Sequence, residues 1–355
     1  MTSKVYFIPA SKKEPPEVLA RKAEKLFLML NINNKIESSS FVGLKIHFGE
    51  KGNEGHINPL WLLDIINNIK KRTSRVFLTD TNTLYRGERS DSIHHIRIAW
   101  KHGFSLEKLG IPVVIADGLV GRDDEEVCVN LSRIKSARIA SAFLNINFLL
   151  CLSHFTGHDL TGFGAAIKNL GMGCASRAGK LEQHSDVHPW VSQRLCKNCG
   201  VCLNYCPSGA IVQKGGKAYI IDEKCIGCGE CLVVCSPGAI KIRWDKDSMR
   251  IQEKIAEYAF GVKKIYEEKI GFINFLLEVT KYCDCWSKQS EKIVEDIGIL
   301  ASIDPVAVDK ASVDLINQRS GKDILKEANG IDWTVQLKRG EDIGLGSMKY
   351  KFIHV

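Results

Sequence analysis

Cys196-Lys197-Asn198-Cys199-Gly200-Val201-Cys202-Leu203-Asn204-Tyr205-Cys206 is answered by Cys225-Ile226-Gly227-Cys228-Gly229-Glu230-Cys231-Leu232-Val233-Val234-Cys235. Each cysteine of the second run lies 29 residues after its counterpart. Three cysteines two residues apart can each take one corner of a cubane, while the fourth, three residues on, points away to a second cubane. The spacing therefore predicts two [4Fe–4S] clusters with crossed ligation. Cys196, Cys199, Cys202 and Cys235 are expected around one, and Cys225, Cys228, Cys231 and Cys206 around the other. Zinc is the other use of such cysteines, but paired zinc sites usually come as separated C-x2-C knuckles.

The flanks repeat with the cysteines. Pro207-Ser208-Gly209-Ala210-Ile211 is matched by Ser236-Pro237-Gly238-Ala239-Ile240. Small residues let backbone N–H groups approach cluster sulfurs, and such bonds tune potential. The second run reads Cys-Ser-Pro where the usual pattern is Cys-Pro, a change that removes no ligand. This is the spacing of bacterial two-cluster ferredoxins, so residues 191–244 are expected to form a ferredoxin-like α+β module. Thiolate ligation needs a reducing compartment, which predicts a cytoplasmic protein. Among the remaining cysteines (Cys128, Cys151, Cys174, Cys283 and Cys285) no disulfide is expected.

Outward from the module, short apolar runs alternate with amphipathic stretches. Val5–Ile8, Phe41–Phe48, Arg75–Thr79, Ile111–Ala116, Phe148–Ser153 and Phe272–Thr280 read as strands. Glu17–Leu30, Pro59–Arg72, Ser92–His102, Ser136–Leu144, Asp247–Lys269 and Asp304–Gln318 read as helical. This alternation predicts an α/β fold with a mostly parallel, doubly wound sheet. The module interrupts it. Residues 1–190 and 245–355 are expected to form the host, with 191–244 inserted; a separate C-terminal domain is the alternative.

The chain has 355 residues, enough for a large domain with an insertion. Its formal net charge is +8, which two clusters at −2 each would lower to about +4. The lysines are scattered, with no basic stripe interleaved with aromatics, so no nucleic-acid partner is expected. Met1–Ala10 holds an apolar run too short for a signal segment. The longest apolar stretch, Ala142–Leu152, is broken by Asn145 and Asn147, so no membrane span is expected.

In open parallel sheets ligands bind beyond the C-terminal strand ends. Lys45 and His47, Asp80 and Asn82, Asp117, and His154 with His158 and Asp159 stand at four such ends. An aspartate there is ordinarily a helix cap; four polar strand ends together point to a ligand site. Between Gly157 and Gly179 lie six glycines, with Lys168, Asn169 and Arg177 among them and Lys180 just beyond. Glycines such as Gly171 and Gly173 let backbone N–H groups approach an anion, and Lys168 and Arg177 complement its charge. The expected ligand is an anionic small molecule bearing phosphate or carboxylate, and the site leaves room for an additional metal or phosphate-bearing cofactor. No G-x-x-x-x-G-K-[ST] motif occurs. A flexible linker is the alternative, but Ile167, Leu170 and Met172 fall at packing spacing. His158, Lys168 and His154 are the candidate catalytic groups, and Lys45, Asp80, Gly171, Gly173 and Arg177 the candidate ligand contacts. His184 and His188 precede the module, each able to bind metal or move protons. Cys283-Asp284-Cys285 on an extended segment puts two thiols on one face and can chelate a soft metal. Asp304 is expected to cap the helix that Pro305 opens; Asp309 could face either way.

Together these segments resemble a family of uncharacterised iron–sulfur centre proteins. The matching residues are Lys45–Glu50, Thr79–Thr83, His154–Lys180, both cysteine runs, Cys283–Cys285 and Asp304–Asp309. The resemblance implies an α/β domain of unknown function around a ferredoxin-like insert. The order His158-x9-Lys168-x15-His184 also looks like that of lactate racemase-type enzymes with a nickel-pincer nucleotide. That likeness implies His158 as acid/base, Lys168 as covalent anchor and His184 as nickel ligand; the second catalytic histidine has no clear match, His94 and His95 being the candidates. The sequence thus predicts electron transfer between two clusters and an anionic small molecule, with a redox partner protein. The alternatives are a racemase-type enzyme with accessory clusters and a stand-alone electron carrier or assembly protein. A carrier would need only the module, and roughly 300 residues lie outside it.

Overall fold

The computed structural model describes residues 2–185, 188–242 and 247–355. Its centre is an eight-stranded sheet. The strands are β1 (Ser3–Pro9), β2 (Val42–Ile46), β3 (Val76–Asp80), β4 (Val113–Ile115), β5 (Phe148–His154), β6 (Ile270–Leu276), β7 (Gly298–Ser302) and β8 (Tyr350–His354). Their order is β8-β1-β7-β6-β5-β2-β3-β4. Every residue of β2, β6 and β7 is buried, the pattern of strands covered on both faces. β6, β5, β2, β3 and β4 run parallel. β7 departs from the expected parallel order, lying antiparallel between β1 and β6. It follows β6 without an intervening crossover helix, and such a return connection makes antiparallel neighbours.

Helices cover both faces. On one side α1 (Pro16–Met29) and α2 (Leu63–Lys70) bury Leu19, Ala23, Leu26 and Phe27, and Ile65, Ile66 and Ile69. α3 (Ser92–Lys101) precedes the edge strand β4. On the other side lie the short α4 (Ala166–Gly171), α5 (Arg177–His184), the long α6 (Ser248–Tyr266) and α7 (Pro305–Ser320). Their apolar residues, among them Ile167, Leu170, Ile255, Tyr258 and Val308, share a second core. Asp304 caps α7 as expected, accepting from the Val306 and Ala307 amides at 2.9 and 3.0 Å.

Ser136–Leu144 is not the expected helix. Ser136–Ala140 is a strand paired with Asp124–Cys128, followed by a 3-10 turn at Ser141–Asn145. Ala137 and Ile139 point to the core and Arg138 between them does not, a period of two over too few residues to be read from sequence.

Trp190–Val191 pairs antiparallel with Ile240–Lys241, which brings the two ends of the cysteine-rich segment together. Between them Val191, Ile211, Ala218, Ala239 and Ile240 form a third apolar cluster with Cys196, Cys202, Cys231 and Cys235, separate from the two host cores. The expected end of this segment at Trp244 lies outside the described residues.

Candidate functional site

A cavity of about 650 Å³ opens beyond the C-terminal ends of β2, β3 and β5. Lys45 of β2, Asp80 of β3 and His154 of β5 line it, as do Lys168 of α4 and His184 of α5. His158, on the short strand Thr156–His158 just after β5, faces the same space. So does Cys283-Asp284-Cys285, which sequence reasoning could not place.

Most charges here are paired. Lys45 Nζ meets Asp80 Oδ1 at 2.9 Å and donates to Asn169 Oδ1 at 2.7 Å, both ends of the ion pair being buried. Burial alone would raise the Asp80 carboxyl, but Lys45 and His95 outweigh it and hold it well below the usual range. Lys180 donates to the Thr81 hydroxyl and, at 2.7 Å, to the Ala175 carbonyl. The Lys168 ammonium is different: it has no hydrogen bond or ion pair to any described residue. Burial pulls it down to about 8. A cation that is mostly charged at neutral pH, faces a cavity and has no carboxylate at ion-pair distance is a ready anion partner.

Asp309 of α7 explains where Lys168 sits. Its carboxylate accepts from the Ala166 and Ile167 amides, both at 2.9 Å, and from Asn274 Nδ2 at 2.8 Å. It therefore holds the N-terminal end of α4, the helix that carries Lys168. The undecided orientation of Asp309 resolves inward.

The histidines divide by their partners. His154 Nδ1 lies 2.7 Å from Asp284 Oδ2, and Nε2 2.8 Å from the Leu277 carbonyl. Both partners only accept, so both ring nitrogens donate and His154 is an imidazolium. Burial lowers its pKa, but Asp284 more than restores it. Its nitrogens are committed, Nδ1 to Asp284 and Nε2 to the Leu277 carbonyl, which makes His154 a positioning group, not the free acid/base expected. His158 Nδ1 accepts from the Leu160 and Thr161 amides at 3.1 and 3.2 Å. Burial and the nearby Lys168 and His184 hold it neutral, so its single proton is on Nε2. Of the two further histidine candidates, His94 is exposed beside Asp91, whereas His95 is buried 3.6 Å from Asp80. His188 is exposed.

Two expected ligand contacts lie elsewhere. A methyl at Gly171 would meet the Ile255 carbonyl oxygen at 2.2 Å, so this glycine lets α4 press against α6. Gly173 does line the cavity, against the Lys45 side chain. Arg177 is buried away from the cavity. It donates to the Thr83 carbonyl at 3.1 Å, to the Ser90 carbonyl, and to Glu230 at 2.5 Å. Glu230, inside the second cysteine run, is itself buried and also pairs with Arg122 at 3.3 Å. Arg177 thus ties the cysteine-rich segment to the host, a role invisible while its carboxylate partner lies 53 residues away.

Within that segment Cys206, Cys225, Cys228 and Cys231 line one enclosed pocket. Burial raises the Cys202 thiol, and its thiol neighbours Cys235, Cys199 and Cys196 raise it further. Backbone amides point at sulfur at equivalent places: Ala210 N lies 3.2 Å from Cys206 Sγ and Ala239 N 3.1 Å from Cys235 Sγ. Gly200 and Gly229 open the two short helices with φ 73° each, a left-handed geometry that other residues adopt at a cost. Cys283 and Cys285, expected to be free thiols, are joined as a disulfide, because the turn around Asp284 brings them face to face.

The class this architecture defines is a mixed α/β protein with a large, mostly parallel central sheet and a charged cavity beyond its strand ends. Residues 42–314 match the model of a family described as "Domain of unknown function (DUF362)", and the protein belongs to that family. No curated protein matches the chain. Among the solved structures that are similar, two illustrate the low identity. A Thermotoga maritima protein is 9% identical with a TM-score of 0.40, over 86% of this chain and 58% of that one. The lactate racemase apoprotein from Thermoanaerobacterium thermosaccharolyticum is 10% identical with a TM-score of 0.38, over 78% and 50%. The chain thus spans about half the length of these two solved structures. Among the described residues, no helix is long and apolar enough to cross a membrane.

Proposed function

We propose that the paired cysteine runs bind two [4Fe–4S] clusters and that these exchange electrons with an anionic small molecule held in the cavity. Lys168 carries the cavity half of this reading, as an unpaired ammonium at a strand-end site. The cluster half is supported by the cysteine spacing, by Cys206 lying with Cys225, Cys228 and Cys231, and by amides aimed at Cys206 and Cys235 sulfur. Residues 191–244 would then be the inserted module and 1–190 with 245–355 the host. Bound clusters supply one-electron chemistry. The chain's own groups bind and orient: Lys168 takes the anion, and His158, neutral with its proton on Nε2, presents a fixed N–H hydrogen-bond donor. Such a protein belongs in a reducing cytoplasm, served by a redox partner protein.

Anaerobically prepared protein should hold about eight irons and eight sulfides per chain, with spin-coupled EPR signals on reduction. Stoichiometric zinc, with no capacity for iron reconstitution, would overturn the cluster half. Cys206→Ser should damage the cluster of Cys225, Cys228 and Cys231. Calorimetric titration with inorganic phosphate tests the cavity half: Lys168→Met should bind about tenfold more weakly or worse.

A second reading rests on one observation: His158, Lys168 and His184 line the same cavity. That set fits a racemase-type enzyme in which Lys168 anchors a nickel-pincer nucleotide. Intact-protein mass spectrometry of anaerobic material separates the two. An adduct on Lys168 favours the racemase reading; an unmodified Lys168 favours the noncovalent anion site.

A further inference from the structure

We infer that Cys283 and Cys285 form a redox-active dithiol–disulfide pair, reduced by electrons from the cluster of Cys206, Cys225, Cys228 and Cys231. The inference rests on the iron–sulfur reading above. Both cysteines line the cavity, and their sulfurs lie within 4.8 Å of a His158 ring nitrogen. The turn that carries them is anchored from several sides. His154 holds the Asp284 side chain, the Glu50 amide donates to the Asp284 carbonyl at 3.0 Å, and Asn53 Nδ2 donates to the Trp286 carbonyl at 3.0 Å. The backbone can therefore stay fixed while the S–S bond opens and closes.

A packed route joins the pair to the second cysteine run. Gly229, next to Cys228, abuts the host so closely that a methyl there would meet Leu84 Cδ1 at 3.2 Å. Leu84 and its neighbour Tyr85 both line the cavity. The Tyr85 hydroxyl donates to the Cys285 carbonyl at 3.2 Å. Protein matter thus runs from a cluster ligand to the disulfide through Gly229, Leu84 and Tyr85, the kind of dense medium that one-electron transfer requires.

The stoichiometry closes. The S–S bond breaks, each sulfur gains one electron and one proton, and two thiols result. The electrons arrive singly, each taking a cluster from the +1 to the +2 state, and a ferredoxin-type one-electron donor restores it. Solvent supplies both protons, and the neutral His158 offers its Nε2–H as a hydrogen bond to the sulfur on which charge builds as the S–S bond opens. The same three residues could be imagined holding a metal ion. A metal-bound histidine, however, ordinarily donates its other N–H, whereas His158 Nδ1 accepts from two amides. That hydrogen-bond pattern suits an N–H hydrogen-bond donor.

The experiment uses full-length, iron-loaded protein and alkylation trapping with peptide mass spectrometry. In dithiothreitol buffers of graded potential, Cys283 and Cys285 should pass together between disulfide and doubly alkylated forms. Photoreduction with deazaflavin, a one-electron donor, should open the same disulfide in wild-type protein. In Cys206→Ser it should open at least tenfold more slowly, while dithiothreitol still opens it. His158→Ala should slow opening, and His158→Gln, which keeps an N–H donor, should restore part of the rate, a rescue that a purely structural change would not show. Two outcomes overturn the inference: thiols protected from alkylation by stoichiometric zinc, or clusters that bleach under light while the disulfide stays closed. A pair that cycles with dithiothreitol in protein that takes up no iron would instead overturn the cluster reading, and the electron source with it, while leaving the dithiol couple standing.

Discussion

Lys168 and Arg177 show how far residue type alone can mislead. Both are cations in a glycine-rich run, yet one faces the cavity without a partner and the other is saturated by Glu230 and two carbonyls. The difference has a measurable consequence in pH. Lys168 titrates at about 8 in the folded protein against 10.5 unperturbed. Between those values the folded state holds fewer protons than the unfolded one, so stability rises with pH across that window; the cost of burying the charged amine is present in full below 8. Anion binding has the opposite sign, because it needs the ammonium. Affinity for sulfate, whose own charge is constant here, should fall as pH rises through 8. In Lys168→Met the fall should be shallower, what remains coming from Lys180, which lines the same cavity and which burial also lowers to about 8.

At the scale of elements, the placement of Lys168 depends on two contacts of α4, one at each end. Asp309→Ala leaves the Ala166 and Ile167 amides buried without their acceptor, and should cost about 1–3 kcal/mol in denaturant unfolding and weaken phosphate binding. Gly171→Ala forces a methyl against the Ile255 carbonyl of α6 and should cost about 1–3 kcal/mol, seen as a Tm lowered by several degrees. Neither contact was legible beforehand. From sequence Asp309 can face either way and Gly171 reads as a ligand contact, because the partners of both come from elements far along the chain. The central strands were legible, because β2, β5 and β6 are continuous apolar runs of strand length. β7 was not: Gly298-Ile299-Leu300-Ala301-Ser302 is as apolar, yet nothing local distinguishes an antiparallel strand from a loop packed in the core.

Across the whole molecule, the cysteine-rich segment and the rest of the chain are joined by few charged contacts among the described residues and have separate cores. Arg177–Glu230 is the most buried of those contacts. Glu230→Ala should therefore cost about 3–5 kcal/mol, much of it from a guanidinium left buried without its carboxylate. Thermal unfolding of cluster-loaded protein measures it. Removing iron with a chelator should release amide protection between 196 and 240 while the eight-stranded sheet keeps its own, because the third cluster of apolar residues is small and leans on the cysteines. Hydrogen exchange read by mass spectrometry checks this; simultaneous loss in both parts would show one cooperative unit.

Spacing, periodicity and composition by themselves determined the alternating α/β plan, the pairing of the two cysteine runs, and the gathering of Lys45, Asp80, His154, His158 and Lys168 at strand ends. All of these follow from rules that act over a few residues: ligand reach, the two-residue and 3.6-residue periods, and the tendency of parallel strands to present ligands at their C-terminal ends. Only the tertiary structure decided which of those polar groups are spent on one another. It paired Lys45 with Asp80, His154 with Asp284 and Arg177 with Glu230, left Lys168 unpaired, and set Cys283-Asp284-Cys285 against His158. A charge's role depends on the nearest opposite charge in space, and in a sheet covered by helices that neighbour is 35 to 130 residues away in sequence.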